Sequence, residues 1–565
     1  MINTIRVEDF TGGLNLDANI FQLKKNQTSD LLNVDINPKG GVAQRYGIER
    51  MNTTAVGSLS AGNFYANRLH PWQGSSRQLM LSTNNKVYYA TTADFSPVQV
   101  GGVDIVTDNN YGASYSSWNT GANPVLYIAR GAGYPVSKWT GTTCTNLTAS
   151  GTAAWQEDLT SPSGTHAPKG EFVATHVDRL WVANTTESGS SYPNRVRFSH
   201  PLFPESWRSL DFIDLPAGGD EIVGIVPYGG HLLVFKKRAV FAIYGYSEDT
   251  FQVVELSRSL GAVNANAIAL TDIGVFFFSH PDGVFLYDGR GFRDIFSNLR
   301  RLIVDGEITE TSLDAISLGY ANRRLVLSLP KGDEVTGSGI TYDASVIPDS
   351  SPSIPAAYDY ELLKYDGQSR STRVTTSYVY DPSVGPNGAW TAYKTSDGYG
   401  LIGATDYIDD LGNKYHVAAH PYQPYVLKFD VYGKYEDNIT GTDVSFDSYY
   451  ITPWMDAGNV SAKKFWRRPD FIMLQQNDGT SVDVSVYHDW DQLHEIKSFT
   501  MTQDAIDSTG TSWTSWNEPD WGSVHSRADS LGLARAVQLK IAGNGTQPWA
   551  VNSISYKYNP RKIKV

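Results

Sequence analysis

GIVPYGGHLLVFKKRAVFAIYG, residues 224–245, turns tightly at Gly229-Gly230 between short runs of β-branched and aromatic residues. That combination marks an antiparallel hairpin. Five further stretches read the same way: RQLMLSTNNKVYYA (77–90), VLYIARGAGYPVSKW (125–139), EFVATHVDRLWVAN (171–184), AIALTDIGVFFFSHPDGVFLYDG (267–289) and LGYANRRLVLSLP (318–330). Their turns centre near Asn84, Ala132, Asp178, Gly230, Asp282 and Asn322, separated by 48, 46, 52, 52 and 40 residues. One small antiparallel sheet every forty to fifty residues is the mark of a β-propeller.

Composition agrees with that reading. Of 565 residues, 41% are hydrophobic and 19% charged, enough apolar surface for packed cores. Glycine (51) and tyrosine (33) far exceed methionine (6), as suits sheets joined by many turns. The expected fold is all-β, with a propeller of six or seven blades followed by a β-sandwich or jelly roll. Residues 1–55 read as an N-terminal arm with a strand that closes the ring, or as a separate docking arm. Residues 56–424 form the propeller, interrupted by an irregular Pro- and Ser-rich loop at 332–357, and strand-like sequence resumes at 358–366. From about Tyr425, seven alternating segments within 425–565, beginning with YVLKFDVYGKYED, predict the sandwich.

Charge and cysteine usage narrow the function. The net charge of −13, from 46 basic and 59 acidic residues, disfavours adhesion to nucleic acid but suits a wall past which a duplex slides. Cys144 stands alone, so neither a disulfide framework nor a Cys-rich metal site is expected. MINTIRVEDFTGG (1–13) shows no apolar signal region, and no run approaches a membrane span, so a soluble protein folding in a reducing cytoplasm is expected.

Catalytic motifs do not assemble. Asn517-Glu518-Pro519 resembles the acid/base motif of many glycoside hydrolases, but the barrel of alternating strands and helices that carries it is absent; a Trp-rich surface loop is the reading. Trp513, Trp516 and Trp521 in that loop are candidates for stacking on sugars or for packing in an interface. His416 and His420 in HVAAH lack the glutamate and the helix of a zinc protease. Ser461 and Lys464 match Ser-x-x-Lys without any companion motif. No enzyme activity, cofactor or metal is expected. Lys463, Lys464, Arg467 and Arg468 in KKFWRR form a basic island, either a protected strand edge or a patch for an acidic neighbour.

Three stretches resemble known proteins. GGLNLDANIFQLKKNQTSDLLNVDINPKGGVAQRYG (12–47) is similar to the N-terminal segment of bacteriophage tail proteins. VRFSHPLFPESW (196–207) and TPWMDAGNVSAKKFWRR (452–468) look like the same proteins. The architecture is closest to the tail nozzle (tail hub, or tubular protein B) of short-tailed phages, and a structural protein of a long-tailed phage with the same propeller would share it. The resemblance implies a non-enzymatic virion component assembled in the bacterial cytoplasm. It implies a homohexameric ring below the portal and adaptor, which retains DNA until ejection and docks fibres or spikes. In that setting 332–357 would be a lumenal gate or a docking loop. The competing expectation is a carbohydrate-binding or glycan-cleaving propeller used for host attachment.

Overall fold

The computed structural model describes residues 2–59, 66–90, 94–107, 112–119, 124–149, 155–156, 166–216, 220–304, 310–329, 376–473, 481–502, 530–543 and 548–560. Seven four-stranded antiparallel units follow one another in the chain. Their innermost strands are Ala66–Gln73, Ser114–Trp118, Lys169–His176, Ile222–Tyr228, Ile268–Leu270, Ser317–Ala321 and Ile402–Ile408, which define blades 1 to 7. Each touches the next around a circle, and Ile402–Ile408 returns against Ala66–Gln73. The ring is therefore closed, a seven-bladed propeller.

Packing follows from strand periodicity. Side chains on opposite faces of a blade point to different neighbours, so the cores lie between blades. Trp72, Met80, Leu126 and Trp139 fill the space between blades 1 and 2. Phe172, Trp181, Val234 and Phe241 do so between blades 3 and 4, and Phe235, Val240, Val275 and Phe277 between blades 4 and 5. The tight turns use left-handed residues where two-residue hairpins need them: Asn84-Asn85, Val177-Asp178, Gly229-Gly230 and Asn322-Arg323 all have φ between 49° and 87°.

Blade 7 is built from both ends of the propeller sequence. Its inner three strands are Ile402–Ile408, Lys414–Ala419 and Val426–Val431, and its outermost is Gly47–Arg50. The segment 425–437, which alternation assigned to the sandwich, thus supplies a propeller strand. Its period-2 pattern serves either fold, and what decides is that Val426, Leu427 and Phe429 are buried on both faces of a blade. The expected loop 332–357 and strand 358–366 lie outside the described residues. The strands on either side pair directly, with Leu329 opposite Thr376.

The second unit is a sandwich of two sheets. One contains Lys464–Trp466, Asp470–Met473, Gly532–Ala534 and Ala550–Pro560, joined by Asn3–Val7, Val34–Ile36 and Val42–Gln44 from the N-terminus. The other contains Tyr449–Ile451, Ser481–His488, Lys497–Thr502 and Val537–Gly543, with Leu31–Leu32 at its edge. Its core is continuous with that of blades 5 and 6 through residues such as Phe10, Phe296, Trp390 and Tyr450. Among the described residues no helix is long and apolar enough to cross a membrane.

Candidate functional site

The N-terminal stretch 12–47 lies at the seam between propeller and sandwich, and one ion pair organises it. Arg45 and Asp437 have fully buried side chains and meet through two bonds of 2.9 Å. The remaining guanidinium donors reach the Asn33 side chain at 2.9 Å and the carbonyls of Tyr46 and Lys394 at 2.8 Å each. All five N–H groups of the arginine are thereby used. Asp437 also accepts from the amides of Ile48 at 2.9 Å and Ser396 at 2.8 Å. Phe446 lies 3.8 Å from the guanidinium carbon. Asn33, left-handed at φ 53°, completes the lock by binding Asp447, Ala392 and Lys394 of the two domains.

Beside this lock opens a pocket of about 440 Å³ lined by Asp35, Tyr46, Asn322, Arg324, Asp381, Asp430 and Tyr432 among others. Arg324 donates to Asp35 at 2.7 Å and is paired with Asp430, and Tyr393 donates to Asp35. Burial and the neighbouring Asp430 push the Asp35 carboxyl up despite Arg324. Burial works against the charge on Arg324, but Asp430, Tyr393 and Asp35 outweigh it and hold its pKa well above the ordinary value. The guanidinium sits between both carboxylates. It pairs with each of them, so one cation is shared between two carboxylates.

The other two stretches that carry the resemblance are also clasps. In 196–207, Glu205 accepts from Tyr127 at 2.8 Å and Lys138 at 2.7 Å of blade 2, and Trp207 is buried between blades 2 and 3. In 452–468, Thr452 accepts from the Leu539 amide at 3.0 Å and buried Trp466 donates to Ala534 at 3.2 Å. The basic island divides. Lys463, Arg467 and Arg468 are exposed, but Lys464 is buried, its ammonium bonded to the Asn459 and Arg535 carbonyls. Lys464 therefore holds the sandwich together and is not available to a docking patch; alternation along the strand turns it inward while Lys463 and Phe465 face out. Trp513, Trp516, Trp521 and Asn517-Glu518-Pro519 lie outside the described residues.

His416 and His420 do not converge. His416 bonds Asp406 at 2.7 Å, while His420 is fully buried, faces Asp397 at 3.2 Å and accepts the amides of Tyr422 and Gln423. Among the described residues no group of three or more His, Cys, Asp or Glu side chains is placed to hold a metal.

Sequence reasoning missed one exposed feature, the outer edge of blade 4. Strand Gln252–Ser257 has four consecutive exposed residues, including Val253 at 39% and Val254 at 42%. Tyr246 (77%) and Leu210 (81%) lie nearby, where Arg208 joins Asp211 to Glu248. The outer strands of blades 2, 3 and 5 have only three residues, that of blade 1 ends in Pro97, and that of blade 6 is buried against the N-terminal strands. Short strands and proline are how sheets ordinarily blunt their edges; blade 4 does neither.

No protein-family model matches the chain, and no curated protein matches it in sequence. Among solved structures, it is similar to the extracellular domain of a putative one component system from B. thetaiotaomicron, at 10% identity and a TM-score of 0.34 over 76% of this chain and 45% of that one. The chain thus spans less than half the length of that protein. YCF48 bound to a D1 peptide matches at 8% identity and a TM-score of 0.32 (71% of this chain, 97% of that one). The AfRom2 CNH domain matches at 9% and 0.34 (68% and 100%). Likenesses this distant carry no functional argument.

Proposed function

We propose that this chain is a structural subunit of a bacteriophage tail, of the nozzle class, that assembles with copies of itself into a ring. The observation that carries the reading is the seam. The stretch resembling phage tail proteins is the one whose Arg45, Asn33 and partner Asp437 weld propeller to sandwich into one stiff body. A ring needs a heterologous contact that closes by rotation, and the bare edge of blade 4 with Val253, Val254 and Tyr246 is suited to one side of it. The DNA path would be the axis of the oligomer. The pocket described in the hub, between the innermost strands of blades 1, 5, 6 and 7, measures about 190 Å³, far less than a duplex needs. Excess negative charge would keep DNA from adhering to the wall.

Size-exclusion chromatography with light scattering tests the proposal. The wild-type chain should form a closed oligomer, alone or on adaptor rings, and the Val253→Lys/Val254→Lys double variant should stay monomeric with an unchanged melting temperature. A chain that remains monomeric at high concentration, with and without adaptor rings, would overturn it.

A further inference from the structure

The propeller hub contains a charge that makes no ion pair among the described residues. Its cavity of about 190 Å³ is walled by the innermost strands of blades 1, 5, 6 and 7. Arg68, on strand Ala66–Gln73, is partly buried and lines it. The buried arginines are engaged: Arg45 with Asp437, Arg197 with Glu187, Arg324 with Asp35 and Asp430, and Arg130 and Arg179 with backbone carbonyls. Arg68 makes no hydrogen bond and no ion pair among the described residues. Burial pulls its pKa down, and only the Tyr115 phenol acts the other way. A guanidinium taken partly out of bulk water without a partner is disfavoured unless something else solvates it.

The surroundings are those of a recognition site for an anion. None of the residues lining the cavity is acidic. Asp272, at the margin, accepts a 2.6 Å hydrogen bond from the Tyr320 hydroxyl. Two more polar groups of the lining are unmatched: the Asn266 side-chain oxygen and His70 Nε2 are both buried without a hydrogen-bond partner. His70 stacks on Tyr115 at 5.0 Å, and burial together with the Arg68 charge pushes it down to about 3, so it is neutral. Its neutrality leaves Arg68 as the one positive charge of the lining. Ser317 and Thr405 add hydroxyl groups to the wall.

We propose that the hub is a binding site for a small oxyanion, a carboxylate or a phosphate, held by the Arg68 guanidinium. Arginine's planar fork of donors matches both anions in a way that a point charge does not. The hydroxyls of Ser317 and Thr405 can donate to the anion, and the unmatched Asn266 oxygen, an acceptor, can take a hydrogen from accompanying water, for which the cavity has room. The site belongs to the single propeller and does not depend on ring assembly.

Calorimetric titration of the full chain in Tris chloride at low ionic strength tests this, with inorganic phosphate in one arm and succinate in the other. One saturable site per chain is expected for at least one of them; the stronger arm tells phosphate from carboxylate. Arg68→Met should weaken binding by about tenfold or more, and Arg68→Lys by less. In buffer free of oxyanions, Arg68→Met should melt no lower than the wild type, because the group it removes has no partner to lose. Equal affinity in wild type and Arg68→Met, no saturation by either anion, or a markedly lower melting temperature for Arg68→Met would each overturn the assignment.

Discussion

Arg45 at the seam and Arg68 in the hub carry the same side chain into low-dielectric surroundings, and almost everything around them differs. Arg45 spends five donors on a carboxylate, an amide oxygen and two carbonyls, all from segments that must meet for the two domains to join. Arg68 faces a small cavity and makes no hydrogen bond or ion pair among the described residues. A fully satisfied buried ion pair specifies an arrangement, because removing either partner strands the other. An arginine without a partner specifies no such arrangement through its charge, and its head group is open to a ligand from outside. Burial alone does not say whether a charged residue is there for structure or for a ligand; counting its partners does.

Mutations can break that contrast, and the largest effect belongs at the seam. Asp437→Ala should destabilise the protein by about 3–5 kcal/mol in urea unfolding, because Arg45 is left buried and unpaired. Combining Arg45→Met with Asp437→Leu should recover much of that loss. A mild effect of Asp437→Ala would mean that water enters the seam and the two domains are joined elsewhere.

Next comes the hub wall. A Cβ on Gly319 would lie 2.2 Å from the Ala404 amide nitrogen, where the innermost strands of blades 6 and 7 share the bridge between Tyr320 and Thr405. Gly319→Ala should cost about 1–3 kcal/mol by forcing those strands apart. If it is neutral, the hub is more compliant than the closed ring requires, and the confinement of Arg68 is less severe.

A smaller effect appears with acid. Burial raises the Asp406 carboxyl, but hydrogen bonds from His416, Lys414 and the Asn322 amide outweigh it and hold the pKa at about 2. A folded-state value below the ordinary one adds stability that is complete above the ordinary carboxylate range and is lost as pH falls through it towards 2. Asp406→Asn should flatten the dependence of melting temperature on pH in that window. The smallest effect is expected for replacing 331–374 with a short turn. Leu329 already pairs with Thr376, so the propeller should melt as cooperatively as before. Collapse of the fold would show that the replaced segment carries blade 6.

Much of the propeller was legible because hairpin signals are local. All six quoted turns fall between paired strands, yet they do not mark the same corner of each blade. Asp178, Gly230 and Asn322 lie between first and second strands, whereas Asn84, Ala132 and Asp282 lie between second and third. That change of phase explains the irregular 40–52 residue spacing and why it could not settle six blades against seven. The seventh blade was hidden for a different reason. Its strands come from 47–50 and 402–431, and nothing local announces that Arg50 will lie opposite Leu427. The same limit concealed the Arg45–Asp437 pair and the solitude of Arg68, since partners and their absence are properties of the folded chain. Lys464 shows the reverse error: a basic run looks like one surface, but alternation sends one of its members inside.

The separation of 392 positions between Arg45 and Asp437 carries a consequence for biosynthesis. On the ribosome the first fifty residues emerge long before the strands and the aspartate they join, so the nascent chain must keep them unspent while six blades form. Premature termination anywhere before blade 7 yields a product with an open circle and a stranded guanidinium, a natural target for proteolytic clearance. Only a chain read through to its last blade can shut the ring, so the topology itself screens out incomplete subunits before assembly.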